Sequence, residues 1–255
     1  MHERLSFYLP RASLLHSANP LTKLTAVFAF LLLSYAQPRA GVLVSLLAIV
    51  LALALIAHVG REFASVALRM VLPAAGFLFI MQALFIPGGK TLLAQFWFIT
   101  LYAETAQTAF ANAARIVLLV SSFLLFILTT HPSHLMSDLV RRGLPGQLAY
   151  VVVSTLQILP QMQAKASAII AAQRSRGLDT TGSLAKRIGA LAPLVGPLVF
   201  GSLVEVEERA IAIEARAFMS TLPKTALHEV PDTAADKAIR WALALATIGA
   251  FILWR

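Results

Sequence analysis

The chain has 255 residues, of which 58% are hydrophobic and 13% charged; it carries a net charge of +9 and no cysteine. A soluble domain carries about 25% charged residues. A chain this apolar therefore uses lipid as part of its solvent, and its basicity reads as cytoplasmic loops obeying the positive-inside rule rather than as a nucleic-acid surface. The aromatic residues lie mostly in apolar runs, not among the basic ones, which also argues against nucleic acid. Without cysteine there are no disulfides, thiolate metal sites or cysteine nucleophiles.

The first 23 residues are too long and too polar for a signal n-region, so the first helix is expected to be retained. Leu24 to Ala36 and Val42 to Ala57 are apolar runs separated by Gln37-Pro38-Arg39-Ala40-Gly41, a turn signal. They predict two short helices forming a membrane hairpin, with Lys23 snorkelling at one end. Met70 to Ile86 predicts a third span, ended by Pro87-Gly88-Gly89. Thr91 to Tyr102 is apolar but too short to cross; Phe96, Trp97, Phe98 and Tyr102 suit an interfacial or re-entrant segment. A fourth span is predicted from about Ala106 to Thr130, and a last one over Ile239 to Trp254, bracketed by Trp241 and Trp254.

Leu148 to Ala164 and Ile188 to Val204 are also long enough to tempt a hydropathy reading. With the N-terminus inside and four spans before residue 131, crossing by both would put Lys165, Arg174, Arg176, Lys186 and Arg187 outside. If neither crosses, residues 131–237 stay cytoplasmic. Of the 21 Lys and Arg, three (Arg39, Lys90, Arg255) are then external and Arg115 lies in the membrane, leaving 21 − 3 − 1 = 17 inside. The second topology is expected. It is an all-α polytopic membrane protein with about five transmembrane helices and a cytoplasmic helical region before the last span. The segments are 1–130, 131–237 and 238–255.

The first cytoplasmic helix carries a seam at Leu148, Val152, Thr155, Leu159, Met162, Ala166 and Ile169, with steps of four and three. Gly143, Pro145 and Gly146 precede it, and Gly177 fits a C′ cap. The second is predicted from about Ser183 to Phe218, kinked by Pro193 and Pro197. Two such apolar helices either receive another protein or pack on the cytoplasmic face of the membrane domain.

Gly88-Gly89-Lys90-Thr91 resembles the end of a phosphate-binding loop, but the motif needs glycine at 84, where Leu84 stands, and no strand precedes it. The chain has no visible ATP site. His131 and His134, with Asp138 a turn later, have a spacing a metal could use, but Pro132 between them favours helix-start chemistry. Asp138, Glu205, Glu207 and Glu208 read as solvating and pairing carboxylates rather than acid–base catalysts. Arg115 inside a span is either a functional charge or a side chain snorkelling to the outer interface. No cofactor, no metal and no catalytic set is expected, and no internal repeat points to a secondary carrier.

One pair stands out. Ser175-Arg176-Gly177 ends the first cytoplasmic helix and Ala215-Arg216-Ala217 lies near the end of the second. Each arginine is flanked by small residues, so its guanidinium stands clear and offers fixed donors to a carboxylate. The alternative is an ordinary arginine favouring the helix macrodipole.

At these residues the chain resembles the transmembrane T subunit of energy-coupling factor (ECF) transporters. Asn19-Pro20-Leu21-Thr22-Lys23-Leu24 is similar to that family's lead into its first span, where Asp is common at the first position. Arg142-Gly143-Leu144-Pro145 is similar to the lead into its coupling region. The run from Leu159-Pro160 to Ala172-Gln173-Arg174-Ser175-Arg176-Gly177, and Ala212-Ile213-Glu214-Ala215-Arg216-Ala217-Phe218, resemble its coupling helices, whose ends read Ala-Arg-Gly. Here Ser175 and Ala217 depart from that pattern while both arginines remain. The resemblance implies a non-catalytic subunit of an importer for a vitamin or transition metal in the cytoplasmic membrane. Its implied partners are two ABC ATPase subunits, identical or homologous, and a small substrate-binding membrane S subunit. Arg176 and Arg216 would each dock on one ATPase, and Leu156, Leu159, Leu191 and Val195 would face the S subunit.

Overall fold

The computed structural model describes residues 8–37, 39–86, 91–96, 99–178, 192–220 and 231–254. Two compact units emerge: a membrane unit of Ser6–Arg142 and His228–Arg255, and a unit spanning Gly143–Leu227 together with Met1–Leu5.

In the membrane unit, α1 (Leu14–Ser17) is capped by the Ser13 hydroxyl, which accepts from the His16 N–H at 3.3 Å. The next helix, α2 (Pro20–Ala36), starts where Asn19 accepts the Leu21 N–H at 2.9 Å, and Pro20 occupies a first-turn position whose missing N–H costs nothing. Both α2 and α3 (Ala40–Ile56) have 17 residues, about 25 Å at 1.5 Å per residue and thus at the short end for crossing a bilayer. The helix α4 (Gly60–Phe85) contains a π segment at Ala67–Val71. It begins ten residues before the expected Met70 (70 − 60 = 10). Its first turns carry Arg61 and Glu62, which depress hydropathy, yet Phe63 is buried in the core and Glu62 pairs with Arg11 at 2.5 Å.

Among the described residues, the segment after α4 adds one short hairpin to an otherwise helical chain, where the sequence predicts an interfacial or re-entrant segment. Leu92–Phe96 (β1) and Ile99–Tyr102 (β2) form an antiparallel hairpin with Ala94 opposite Leu101 and Phe96 opposite Ile99. Aromatic and β-branched residues favour this geometry. The Thr91 hydroxyl donates to Glu104 at 2.6 Å, tying the hairpin to the first turn of α5 (Ala103–Thr129).

The long helix α5 is the hub of the unit, packed against α2, α3 and α4. It buries Ala109, Ala113, Ala114, Ser121 and Ser122, small residues that let helices approach closely in lipid. Leu118, Leu125 and Leu128 join Phe30, Leu46, Val50 and Phe63 in the core. By length and composition, α4 and α5 can each cross a membrane. Phe28, Leu51, Met70, Phe77 and Phe85 face outward in numbers that water does not tolerate. A short α6 (Pro132–Arg141) follows, and α9 (Ala234–Trp254) closes the unit against α2. It starts five residues before the expected Ile239 (239 − 234 = 5), with Trp241 exposed.

The second unit holds α7 (Gly146–Ser175) and α8 (Ala192–Ala215). They run antiparallel: Gln147 meets Met219, Tyr150 meets Phe218, Met162 meets Ser202, and Lys165 pairs with Glu205. The predicted seam holds only in its second half. Met162, Ala166 and Ile169 are partly buried, whereas Leu148, Val152, Thr155 and Leu159 are exposed and Ala149 and Ser154 are buried instead. The first half of α7 is apolar on every side, so periodicity could not choose a face there. Pro160 and Pro197 lie inside their helices, each removing one ladder hydrogen bond; Pro193 is the second residue of α8 as far as that helix is described. Leu191, the expected start of this helix near Ser183, and Pro87-Gly88-Gly89-Lys90 lie outside the described residues.

Candidate functional site

The two arginine motifs end their helices in the same way. On α7, the Gly177 N–H donates to the Arg174 carbonyl and the Leu178 N–H to the Gln173 carbonyl, both at 3.0 Å. On α8, the Ala217 N–H donates to Glu214 at 2.8 Å and the Phe218 N–H to Ile213 at 3.2 Å. Each pair is a Schellman closure, with the arginine at the C-cap and the next residue left-handed. Gly177 has φ +92° and Ala217 has φ +53°. A Cβ at Gly177 would meet nothing within 4 Å, so glycine serves the backbone there and not the space.

Arg176 and Arg216 are exposed, as are Ser175, Gly177, Ala215 and Ala217. Neither guanidinium has a hydrogen-bond or ion-pair partner among the described residues. The Ser175 hydroxyl turns back onto the Ala171 carbonyl at 3.2 Å and leaves the arginine unobstructed. Phe218 packs its ring on Tyr150, centroids 5.2 Å apart, which fixes the Arg216 end beside the start of α7. The Arg176 end is 176 − 150 = 26 residues further along α7, so the two cations stand about 40 Å apart along the hairpin. That arrangement offers two equivalent, widely spaced contacts and assembles no catalytic set.

Ala217 holds a conformation in which a Cβ meets the backbone, a cost of about 1–2 kcal/mol that glycine avoids. Ala217→Gly is expected to stabilise the hairpin by about 1 kcal/mol, read as an upward shift in thermal unfolding of the purified chain. Ala217→Val should shift it down; equal behaviour of the two would contradict the left-handed assignment.

Of the residues expected to face a membrane partner, Leu156, Leu159 and Val195 are exposed, together with Val151, Val199 and Phe200, the last at 72%. Each helix thus keeps an apolar stripe that is exposed among the described residues.

The other singled-out residues have structural roles. The Arg115 Nε donates to the Ser34 carbonyl at 3.0 Å and a terminal nitrogen to Asn112 at 2.9 Å, with the Tyr35 ring 4.8 Å away. Asn112 in turn donates to Gln82 at 3.0 Å, so the arginine ties α5 to the last turn of α2 and, through Asn112, to α4. Lys23 does not snorkel: it is buried and donates to the Thr129 carbonyl at 2.9 Å, satisfying an orphan acceptor at the end of α5. His131 caps α6, its Nδ1 accepting the Ser133 N–H at 3.2 Å, and no three His, Asp or Glu among the described residues are grouped to hold a metal. Glu205 pairs with Lys165, while Glu207 and Glu208 are exposed.

Pattern reading missed Asp236. It is buried, and its carboxylate accepts the Asn19 N–H at 3.1 Å and the Thr233 N–H at 3.2 Å. The Asp236 N–H donates back to the Thr233 hydroxyl. The Thr-x-x-Asp spacing of a capping box was the available signal.

A family profile described as the cobalt transport protein CbiQ matches residues 11–225. The chain is 31% identical to a protein of Thermanaerovibrio acidaminovorans, over 94% of this chain and 88% of that one, and 30% identical to one of Bacillus selenitireducens, over 83% and 82%. A protein of Exiguobacterium sibiricum is 27% identical over 97% and 96%. All three are named energy-coupling factor transporter transmembrane protein EcfT. With its profile spanning most of the chain, the matching helix ends inside it and relatives aligned almost end to end, the chain belongs to the CbiQ family of transport proteins, the membrane components of ECF transporters.

Proposed function

We propose that this chain is the energy-coupling subunit of an ECF-type importer for a vitamin or transition-metal micronutrient. It crosses the cytoplasmic membrane about five times, through α2, α3, α4, α5 and α9, with its N-terminus inside. The observation that carries the reading is the twin arginine termination: two exposed guanidinium groups without a partner among the described residues, each on a Schellman-closed helix end, at opposite ends of one hairpin. Each arginine docks in an acidic groove of one ATPase subunit, as a planar fork of donors suits a carboxylate. Closure of the ATPase pair on ATP moves the two helix ends, and the exposed apolar stripes of α7 and α8 pass that movement to a small substrate-binding membrane subunit. The chain performs no covalent step; ATP hydrolysis belongs to its partners.

Co-purification of the tagged chain from native membranes, beside the Arg176→Glu/Arg216→Glu double variant, tests this. ATPase subunits accompany the wild type and are absent from the double variant. Equal recovery of ATPase with both would remove the arginines from the coupling role.

A further inference from the structure

Arg115 is a formal charge in the apolar body of α5, and the ends of its neighbours fix its depth. At one end of the α2–α5 pair, Lys23 donates to the Thr129 carbonyl; at the other, Arg115 donates to the Ser34 carbonyl. Ser34 lies in the last turn of α2, which ends at Ala36. Through Asn112 the same level meets Gln82, three residues before the end of α4 at Phe85 (85 − 82 = 3). The first turn of α3 joins it, since Leu43 packs with Ala111 and Ala114. Two helices end here and a third begins, whereas Arg115 is already 115 − 103 = 12 residues into α5, about 18 Å at 1.5 Å per residue. With α2 crossing the bilayer, as proposed above, a residue that hydropathy puts in mid-span sits at the rim of the helices, where lipid headgroups meet hydrocarbon.

A guanidinium has five N–H donors, and the Ser34 and Asn112 contacts use two. The other three have no partner among the described residues, and no carboxylate there pairs with Arg115. Glu104, on the same helix, is 115 − 104 = 11 residues earlier and accepts from the Thr91 hydroxyl. A cation at a lipid boundary without counter-charge is costly. The side chain is only partly buried, and the Tyr35 ring beside it, 4.8 Å away, is 60% exposed. Arg39, the exposed N-cap of α3, adds a second cation at this rim. From Tyr35, Leu32 and Phe28 continue an exposed stripe down α2 at steps of three and four, one face of a helix.

We propose that Arg115, with Tyr35 and Arg39, binds the phosphate of an anionic phospholipid at the rim of the membrane unit. The unused fork of N–H donors takes the phosphate oxygens. The stripe of Leu32 and Phe28 takes an acyl chain, which a free phosphate lacks. A headgroup carrying an ammonium would bring a like charge to the two arginines, so the site favours a net negative lipid. The depth of the site rests on α2 crossing the bilayer; the coupling role is not needed for it.

Thermal unfolding of the purified full chain in detergent, titrated with phosphatidylglycerol, phosphatidylcholine or inorganic phosphate, tests the site. Phosphatidylglycerol should raise the unfolding temperature more than phosphatidylcholine, and inorganic phosphate should leave it unchanged. In Arg115→Gln the apparent affinity for phosphatidylglycerol should fall by about tenfold, the loss of one charge-assisted contact. That comparison is internal to each variant, so a shifted melt in detergent alone does not disturb it. Tyr35→Ala and Arg39→Gln should each reduce the preference. Arg61→Gln, which removes an exposed cation at the opposite end of α4, should keep it. Equal stabilisation of the wild type by both lipids would overturn the site and leave the rim cation for a protein carboxylate. A preference that survives Arg115→Gln, or that Arg61→Gln removes equally, would also overturn it, as would stabilisation by inorganic phosphate alone. If Arg115→Gln gives no melt, Tyr35→Ala decides, and an undiminished preference there sinks the proposal. The melts need neither an ATPase nor a bilayer, so failure of the coupling reading would show separately, in the co-purification.

Discussion

Reversing the charge at Arg176 and Arg216 together should abolish recovery of ATPase subunits with the chain, and either single reversal should weaken it severely. Truncating one partner of a buried interfacial charge pair costs about 2–5 kcal/mol, and reversal adds repulsion between like charges. At about 1.4 kcal/mol per factor of ten, each position accounts for roughly a 30- to 3000-fold loss of affinity. The folded chain should be unharmed, because neither guanidinium has an intramolecular partner among the described residues and both side chains are exposed. Arginine at a C-cap favours the helix dipole by about 0.3–1 kcal/mol, which bounds the change in hairpin stability. Arg→Lys at either position keeps the charge but loses the planar fork, and should give intermediate recovery. Matched recovery from the lysine and glutamate variants would mean that bidentate recognition plays no part.

The second large effect is on the fold. Asp236→Ala should lower the unfolding temperature of the purified chain by roughly 10 °C. The substitution removes the acceptor of the buried Asn19 N–H and both Thr233 contacts, so α2 and α9 lose a joint cap. An unsatisfied buried donor costs about 1–3 kcal/mol and a lost cap about 0.5–2. For a chain of this size each kcal/mol corresponds to about 2–4 °C. Asp236→Asn retains a carbonyl acceptor and should lose less. The thermal melt of the three proteins in one detergent decides it; an unshifted Asp236→Ala melt would remove the carboxylate from the joint.

What was legible in the sequence follows the range of the interactions. Gly177 as a left-handed terminator and His131-Pro132 as a helix start are local chemistry, and each is found in place, whereas α2 starts at Pro20, four residues before the expected Leu24 (24 − 20 = 4). Ala217 carries the same backbone conformation as Gly177 but announces nothing, because alanine is a helix former; only its hydrogen bonds reveal the closure. The run over residues 91–102 showed the right residue types for an interface but no alternation clear enough to name a hairpin. The early start of α4 was hidden by Arg61 and Glu62; the partner of Glu62 is Arg11, 51 residues before it. Lys23 reads as a snorkelling lysine until the end of α5, 106 residues later, supplies its acceptor. The ion pair of Arg142 with Asp232 is furthest from pattern: the two are 90 residues apart, and nothing local pairs them.

In the proposed coupling role, both helix ends touch the ATPase subunits directly. Photo-crosslinking from Ser175→Cys and from Ala215→Cys, each the only cysteine of the chain and each carrying a thiol-linked benzophenone, tests it in the complex purified from native membranes. Both positions are exposed beside their arginines, and neither side chain takes part in the Schellman closures. A crosslink from each position to an ATPase subunit is expected, while a probe at Leu51→Cys, on the exposed face of α3, should give none. Crosslinks from Ser175→Cys and Ala215→Cys to lipid or to the chain itself, with ATPase present but untouched, would contradict it.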